Sequence, residues 1–323
     1  MVDYVPGPLD RDATFYVAGH RGLVGSAICR KLESEGFTHI VGRTHAELDL
    51  MDRDAVFAFI RETQPRYMVI AAAKVGGILA NDTFPVDFLS ENLRIQTNLL
   101  DAAVETRVER VLFLGSSCIY PAHAPQPIKE EYLMTGALEP TNFGYAIAKI
   151  TGLMHTQAIR KQYGLPWISA MPTNLYGPND NFDPKSSHVL PALIRRYDDA
   201  VRWGASSVTN WGTGSPRREF LHVDDMADAC LFLMEHYDGD TQVNVGTGED
   251  LTICQLAELV ASAAGFSGET KWDSSKPDGM DQKLLDTSLL EGAGWVSRVA
   301  LTAGINSTVQ WYRQNEAVEV ETE

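Results

Sequence analysis

The stretch from Thr14 to Gly36 leaves this chain few folds to choose from. A short apolar run, Thr14 to Ala18, opens directly into Gly19-His-Arg-Gly22-Leu-Val-Gly25. The helix pattern SAICRKLESEG follows, with Gly36 placed to stop it. Strand, glycine-rich turn and helix in that order open a dinucleotide-binding βαβ unit. The first glycine permits the tight turn, the middle one admits a pyrophosphate to the backbone, and the last lets helix lie on strand. The helix amino terminus adds unpaired N–H groups and a favourable dipole for phosphates. The spacing is GxxGxxG rather than GxGxxG, so the flanking elements carry the reading more than the glycines do.

The same alternation continues. His39 to Arg43 reads as a second strand, Asp52 to Thr63 as a helix ended by Pro65, and Tyr67 to Ala73 as a third buried strand. The end of the second strand selects the cofactor. An NAD site places Asp or Glu there for the ribose 2′-hydroxyl, whereas this chain has Gly42-Arg43-Thr44-His45 and no acid before Glu47. Arg43, with Arg21 from the glycine turn, suits a 2′-phosphate, so NADP(H) is expected. Pro85 to Arg107 is a long helix, apolar on more than one face, which calls for a second packing partner such as another subunit.

Val111 to Pro121, VLFLGSSCIYP, starts as a fully apolar strand and ends in hydroxyls and a thiol. If the extended backbone persists past Gly115, side-chain alternation sends Ser116, Cys118 and Tyr120 to one side. That side lies at the carboxyl end of a sheet strand, where open α/β sheets bind ligands. Further on, Asn142 is placed to cap a helix stopped by Gly164, and Tyr145 and Lys149 lie one turn apart on it. An ammonium beside a phenol favours the phenolate, so a lowered Tyr145 pKa is expected.

Composition excludes several classes. Asp and Glu number 43 against 27 Lys and Arg, a formal net charge of −16 that argues against nucleic-acid or anionic-membrane partners. An anionic substrate would need a local cationic patch. The four cysteines are scattered without metal-like spacing, so no metal site is expected, and reduced thiols in a cytoplasmic protein are. No apolar run approaches the ~18 residues of a membrane span. Residues 1–13 read as a loose arm and 317–323 as a mobile acidic tail.

The GxxGxxG turn, the strand-end serine and YxxxK together resemble the extended short-chain dehydrogenase/reductase family. The blocks AGHRGLVGSAI, AAAKVGGI, FLGSSCIYP, EPTNFGYAIAK, MPTNLYGPNDNF, REFLHVDDMA, NVGTG and SKPDG narrow the likeness to its nucleotide-sugar 3,5-epimerase/4-reductases, in order from about Thr14 to Trp311. The resemblance implies a Rossmann-type doubly wound parallel sheet, an α/β fold with a smaller C-terminal α/β substrate domain. Residues 14–178, with further elements from 205–250, would mainly bind NADP(H), and 179–316 the substrate. The implied substrate is GDP-4-keto-6-deoxy-D-mannose, inverted at C3 and C5 and then reduced at C4. The implied catalytic groups are Ser116, Cys118 as base, Tyr145, Lys149, and His188 as acid. Cofactor contacts would come from Gly19, His20, Arg21, Gly22, Leu23, Val24 and Gly25, then Arg43 and Ala72. Leu114, Gly115 and Ser116 would follow, with Tyr145, Lys149, the turn Pro172-Thr173-Asn174-Leu175, and His188. Arg196, Trp211, Arg218 and Asp278 fall on substrate-binding positions, with Lys283 a further cationic candidate. A homodimer through the Pro85 and Tyr145 helices is implied as well. One position departs from the pattern: His45 stands where relatives commonly carry an arginine, which predicts a reduced preference for NADPH. The rival readings are a 4-epimerase or 4,6-dehydratase on the same scaffold, and a redox-sensing binding protein without catalysis. The region SSCIYP has no acid until Glu130, where a dehydratase would use one.

Overall fold

Runs of residues too apolar to face water on either side become the central strands. The computed structural model describes residues 5–184, 186–276 and 278–320, the last five by backbone alone. The first half alternates: β1 (Phe15–Ala18), α1 (Leu23–Ser34), β2 (Ile40–Val41), α2 (Arg53–Thr63), β3 (Tyr67–Ile70), α3 (Ile78–Thr83), α4 (Pro85–Thr106) and β4 (Arg110–Leu114). The middle continues with α5 (Phe143–Tyr163), β5 (Ile168–Pro172), β6 (Asn174–Tyr176), α6 (Val189–Arg202), β7 (Ser207–Trp211), β8 (Arg217–His222) and α7 (Val223–His236). Then come β9 (Val243–Val245), β10 (Asp250–Thr252), α8 (Ile253–Ala264), β11 (Glu269–Asp273), β12 (Gln282–Lys283), α9 (Ser288–Gly292) and α10 (Leu301–Val320).

The main sheet runs β2-β1-β3-β4-β5-β9 and is parallel throughout. Successive strand residues point to opposite faces, and the core divides accordingly. Phe15, Val17, Val69 and Leu112 pack with Ile28 and Leu32 of α1 and Met226 of α7. Tyr16, Ala18, Met68, Val111 and Phe113 pack with Val56 of α2, Leu99 of α4 and Leu153 of α5. Helices on both faces make the sheet doubly wound. A third apolar cluster gathers Leu193 and Ile194 of α6, Leu256 and Val260 of α8, and Ile305 and Val309 of α10. It lies around β8, which pairs with β6 and β12 in parallel and with β10 antiparallel, while β7 and β11 pair beside it.

Two expectations need correction at the ends. The amino-terminal arm is not loose from Leu9 onward: Leu9 is buried, its N–H donates to Glu235, and the Asp10 N–H donates to the Tyr67 hydroxyl. Residues 1–4 lie outside the described residues. At the other end α10 continues to Val320, into the segment read as a tail, and residues 321–323 lie outside the described residues. Among the described residues, no helix is long and apolar enough to cross a membrane. No cluster of three or more His, Cys, Asp or Glu is placed to hold a metal ion there.

Candidate active site

The strand order reverses at β1, which sits between β2 and β3. The crevice beyond the carboxyl ends of β1 and β3 is therefore the switch point where such sheets take ligands. The glycines have measurable reasons to be there. Gly19 has φ +84°, and a Cβ on it would lie 2.8 Å from the Ala72 nitrogen at the end of β3. A Cβ on Gly25 would lie 2.0 Å from the Gly19 carbonyl oxygen, while the Gly22 N–H closes the turn on that same oxygen at 3.0 Å. Gly22 caps α1 without any side-chain partner, which leaves the first N–H groups of the helix open. This backbone cradle fits a pyrophosphate. We expect Gly25→Ala to break the turn and abolish measurable NADPH binding in titration calorimetry. Unchanged affinity would be incompatible with this cradle.

Beside it, His20 packs its ring on Gly42, where a Cβ would come within 2.3 Å of the imidazole. Its Nδ1 is buried without a partner. Burial, seconded by the charge of Arg21, holds the His20 pKa below its ordinary value. Arg21 and Arg43 are both exposed at the rim, and the Arg43 guanidinium lies 5.2 Å above the Phe59 ring. Glu47 is already used, since its carboxylate accepts from the N–H and hydroxyl of Thr44, each at 2.8 Å. His45 is exposed, 3.8 Å from an Asp49 oxygen.

The stretch after β4 does not behave as expected. The strand stops at Leu114, Ser116 stays extended, and Ser117–Ile119 turn into a 3-10 helix, so alternation ends before Cys118. The turn is favoured because the Ser116 hydroxyl accepts the Cys118 N–H at 3.3 Å, a local bond that competes with the strand ladder. Gly115 is needed because a Cβ there would meet Met171 at 2.3 Å. Tyr120 is not a site group in the way expected, since its hydroxyl donates to Asn244 at 2.6 Å. Ser116 and Cys118 remain neighbours, joined by a capped turn rather than by a common strand face.

α5 delivers Tyr145 and Lys149. Asn142 occupies its N-cap but makes no capping bond; Glu139 instead accepts the N–H groups of Thr141 and Asn142. The Lys149 ammonium donates to the Leu114 carbonyl at 2.7 Å and lies 5.7 Å from the centre of the Tyr145 ring. Burial brings its pKa down to about 8. The expected lowering of the tyrosine pKa is not found. Burial pushes Tyr145 upward, Cys118 adds to the rise, and the phenol is protonated at neutral pH. Burial also raises the Cys118 thiol, while Lys283, the Ser116 hydrogen bond and Lys149 oppose it.

His188 caps α6 and keeps an exposed edge in an otherwise crowded cleft. That crowding, and after it the charge of Lys283, holds its pKa below the ordinary value. The segment before it acts as a strap. Asn179 donates to Ser26 of α1 at 3.0 Å, and the Ser186 carbonyl accepts the Gly77 N–H at 3.0 Å. The segment Pro172–Leu175 runs from the end of β5 into β6, with the Thr173 N–H donating to the Val245 carbonyl and the Asn174 side chain donating to the Glu219 carbonyl.

The cationic patch that an anionic ligand would need is present. Arg196 donates to the Asn210 side chain and Arg218 to the Arg217 carbonyl, and β12 sets Lys283 opposite Arg218. Burial holds all three below their ordinary pKa values. Their neighbours Arg195 and Arg217 pair with Asp199 and Asp250; among the described residues Arg196, Arg218 and Lys283 have no ion pair. Trp211 is 65% exposed at the end of β7, with the Lys276 ammonium 5.6 Å from its ring centre. Asp278 does not present a free carboxylate there. It accepts from the Thr213 N–H and hydroxyl at 2.7 and 2.8 Å and so clasps the turn that follows Trp211.

Glu219 carries no motif that marks it in the sequence. Its buried carboxylate accepts N–H groups from Thr247, Gly248 and Leu285 at 2.6, 2.8 and 3.1 Å. The available signal is an acid set against the apolar pair Phe220-Leu221 in the strand RREFLH.

Residues 15–246 match the NAD dependent epimerase/dehydratase family. The chain is 57% identical to GDP-L-fucose synthase 1 of Arabidopsis thaliana over 306 residues, 95% of each chain. It is 49% identical to the GDP-L-fucose synthase of Escherichia coli strain K12 over 310 residues, 93% of this chain and 97% of that one. The crystal structure of a GDP-L-fucose synthetase from Naegleria fowleri bound to NADP superposes with a TM-score of 0.89 at 28% identity, covering 97% of both chains.

Proposed function

Because the chain belongs to the NAD dependent epimerase/dehydratase family, and matches GDP-L-fucose synthases along nearly its whole length, we infer that it is an NADP(H)-dependent enzyme that converts GDP-4-keto-6-deoxy-D-mannose to GDP-L-fucose. One observation supports carrying the reading to particular residues: the charge of Lys283 reaches both the Cys118 thiol and His188, and Cys118 also faces Ser116, Lys149 and Tyr145.

The chemistry follows from the carbons involved. C3 and C5 both flank the C4 ketone, so removing either proton places negative charge on the C4 oxygen. The hydroxyls of Ser116 and Tyr145 stabilise that oxygen as donors. Inversion needs a base on one face and an acid on the other, the tasks assigned to Cys118 and His188. NADPH, held by the Gly19–Gly25 cradle with Arg21 and Arg43 at its rim, supplies the hydride for C4. Tyr145 then gives its proton to the C4 oxygen. A protonated phenol is the right starting state, because an alkoxide is far more basic than a phenolate. Arg196, Arg218 and Lys283 hold the diphosphate, Trp211 stacks on the base, and Asp278 keeps the Trp211 turn in place. Residues 179–316 are thus mainly the substrate-binding part. Phe143, Ile147 and Met154, exposed along α5, support a homodimer through α4 and α5.

The deciding assay incubates the protein with GDP-4-keto-6-deoxy-D-mannose and NADPH in heavy water. NMR should find fucose carrying deuterium at C3 and C5. Reduction without either label would remove the epimerase half of this reading. Cofactor choice is tested by steady-state kinetics. NADPH should be used more efficiently than NADH, and Arg43→Ala should cost NADPH about tenfold in kcat/KM while sparing NADH. Equal efficiency of the two cofactors with the unaltered protein would contradict the role given to Arg43.

A further inference from the structure

A small cavity beside the Ser117–Ile119 turn is walled by Cys118, Glu139, Asn142, Met280 and Lys283, among others. Lys283 reaches it from the two-residue strand β12, whose register on β8 pairs it with Arg218. A half-buried ammonium without an ion pair carries a desolvation cost, and among the described residues Lys283 has no ion pair in a chain with 43 acidic residues. Holding a diphosphate accounts for a cation in the cleft. It does not account for its sharing a wall with the thiol.

We propose that Lys283 is a positioning residue for the inversion steps: from the shared cavity wall its ammonium favours formation of the Cys118 thiolate that acts as base. The proposal rests on the function inferred above and assigns Lys283 a task besides binding. The groups facing Cys118 are Ser116 and Lys283, with Lys149 and Tyr145 from α5. Lys283 itself is also surrounded by Arg218, Glu139 and Glu219. Burial raises the thiol, and Lys283 is the largest influence opposing it, ahead of Ser116 and Lys149. Lys149 already spends a donor on the Leu114 carbonyl. The field of Lys283 also reaches His188 and favours release of its proton. One cation therefore favours the deprotonated form of the base and release of the proton by the acid.

The proton balance is simple. The Cys118 thiol loses its proton to solvent and Lys283 keeps its own. The thiolate then takes the sugar C–H proton, whose electron pair becomes the enolate. A protonated His188 returns a proton to the carbon from the other face, and the two side chains reset through solvent.

The test uses the full chain without sugar. Alkylation of Cys118 by iodoacetamide is followed against pH by peptide mass spectrometry. Lys283→Met should raise the pH of half-maximal alkylation by about one unit or more, an about tenfold slower reaction near neutrality. Lys283→Arg should restore much of the original profile, and Lys283→Gln provides a second uncharged variant if the methionine form does not fold. An unchanged alkylation profile in folded Met or Gln variants, with only a raised KM for the GDP-sugar, would overturn the proposal and leave Lys283 a diphosphate ligand. Because alkylation involves no sugar, failure of the fucose assay would not be confused with failure of this inference.

Discussion

Cys118→Ala is expected to lose inversion at C3 and C5 while still reducing C4. Removing the base should slow deuterium uptake at both carbons by about 10²–10⁴-fold, the usual contribution of a positioned base. The hydroxyls of Ser116 and Tyr145 and the cofactor cradle are untouched, so the ketone remains polarised and reducible. The product should be a 6-deoxyhexose with its original C3 and C5 configuration, which NMR distinguishes from fucose. The side chain is small and buried, so truncation leaves only a minor void, and a thermal melt should confirm a folded protein. Normal fucose carrying deuterium at both carbons would overturn the assignment of Cys118.

Tyr145→Phe is expected to reverse the pattern. Reduction should fall by about 10²–10⁴-fold, because the proton donor to the C4 oxygen is gone. Deuterium exchange should fall less, since Ser116 still stabilises the enolate. Phenylalanine preserves the edge-on contact with Phe88, so stability should change little. The unaltered protein should also show a pH signature. Lys149, brought down to about 8 by burial, is charged below that pH and neutral above it. Its support for phenolate formation is therefore lost as the pH rises, and reduction should decline above about pH 8. A rate that stays flat through that range would contradict the role given to Lys149.

Much of this site is legible in the linear sequence, and the rest is hidden for physical reasons. The Gly19–Gly25 turn and the Tyr145/Lys149 pair are readable because strand and helix periodicities are local. The Ser116–Cys118 turn defeats the same logic, because one side-chain-to-backbone bond ends the strand early. The tyrosine pKa escapes such local reasoning because spacing places an ammonium near a phenol but cannot weigh it against burial. Glu219, and the placement of the candidate cation Lys283 on the cavity wall with Cys118, depend on pairings between residues far apart. No local pattern announces that a two-residue strand at Gln282–Lys283 will dock on Arg217–Arg218. Leu9 looks like part of an arm in the sequence because its partner, Glu235, is 226 positions away.

Glu219 has a consequence for how the protein comes apart. Its carboxylate gathers donors from the turn after β9 and from the chain just past β12, and its carbonyl holds Asn174. Swinging the C-terminal elements away from the main sheet would strip this carboxylate of its donors before water could replace them. A buried acceptor left unpaired costs about 1–3 kcal/mol, and more when charged. Partial opening is therefore penalised at this one point, where a single buried carboxylate ties the sheet core to the C-terminal elements.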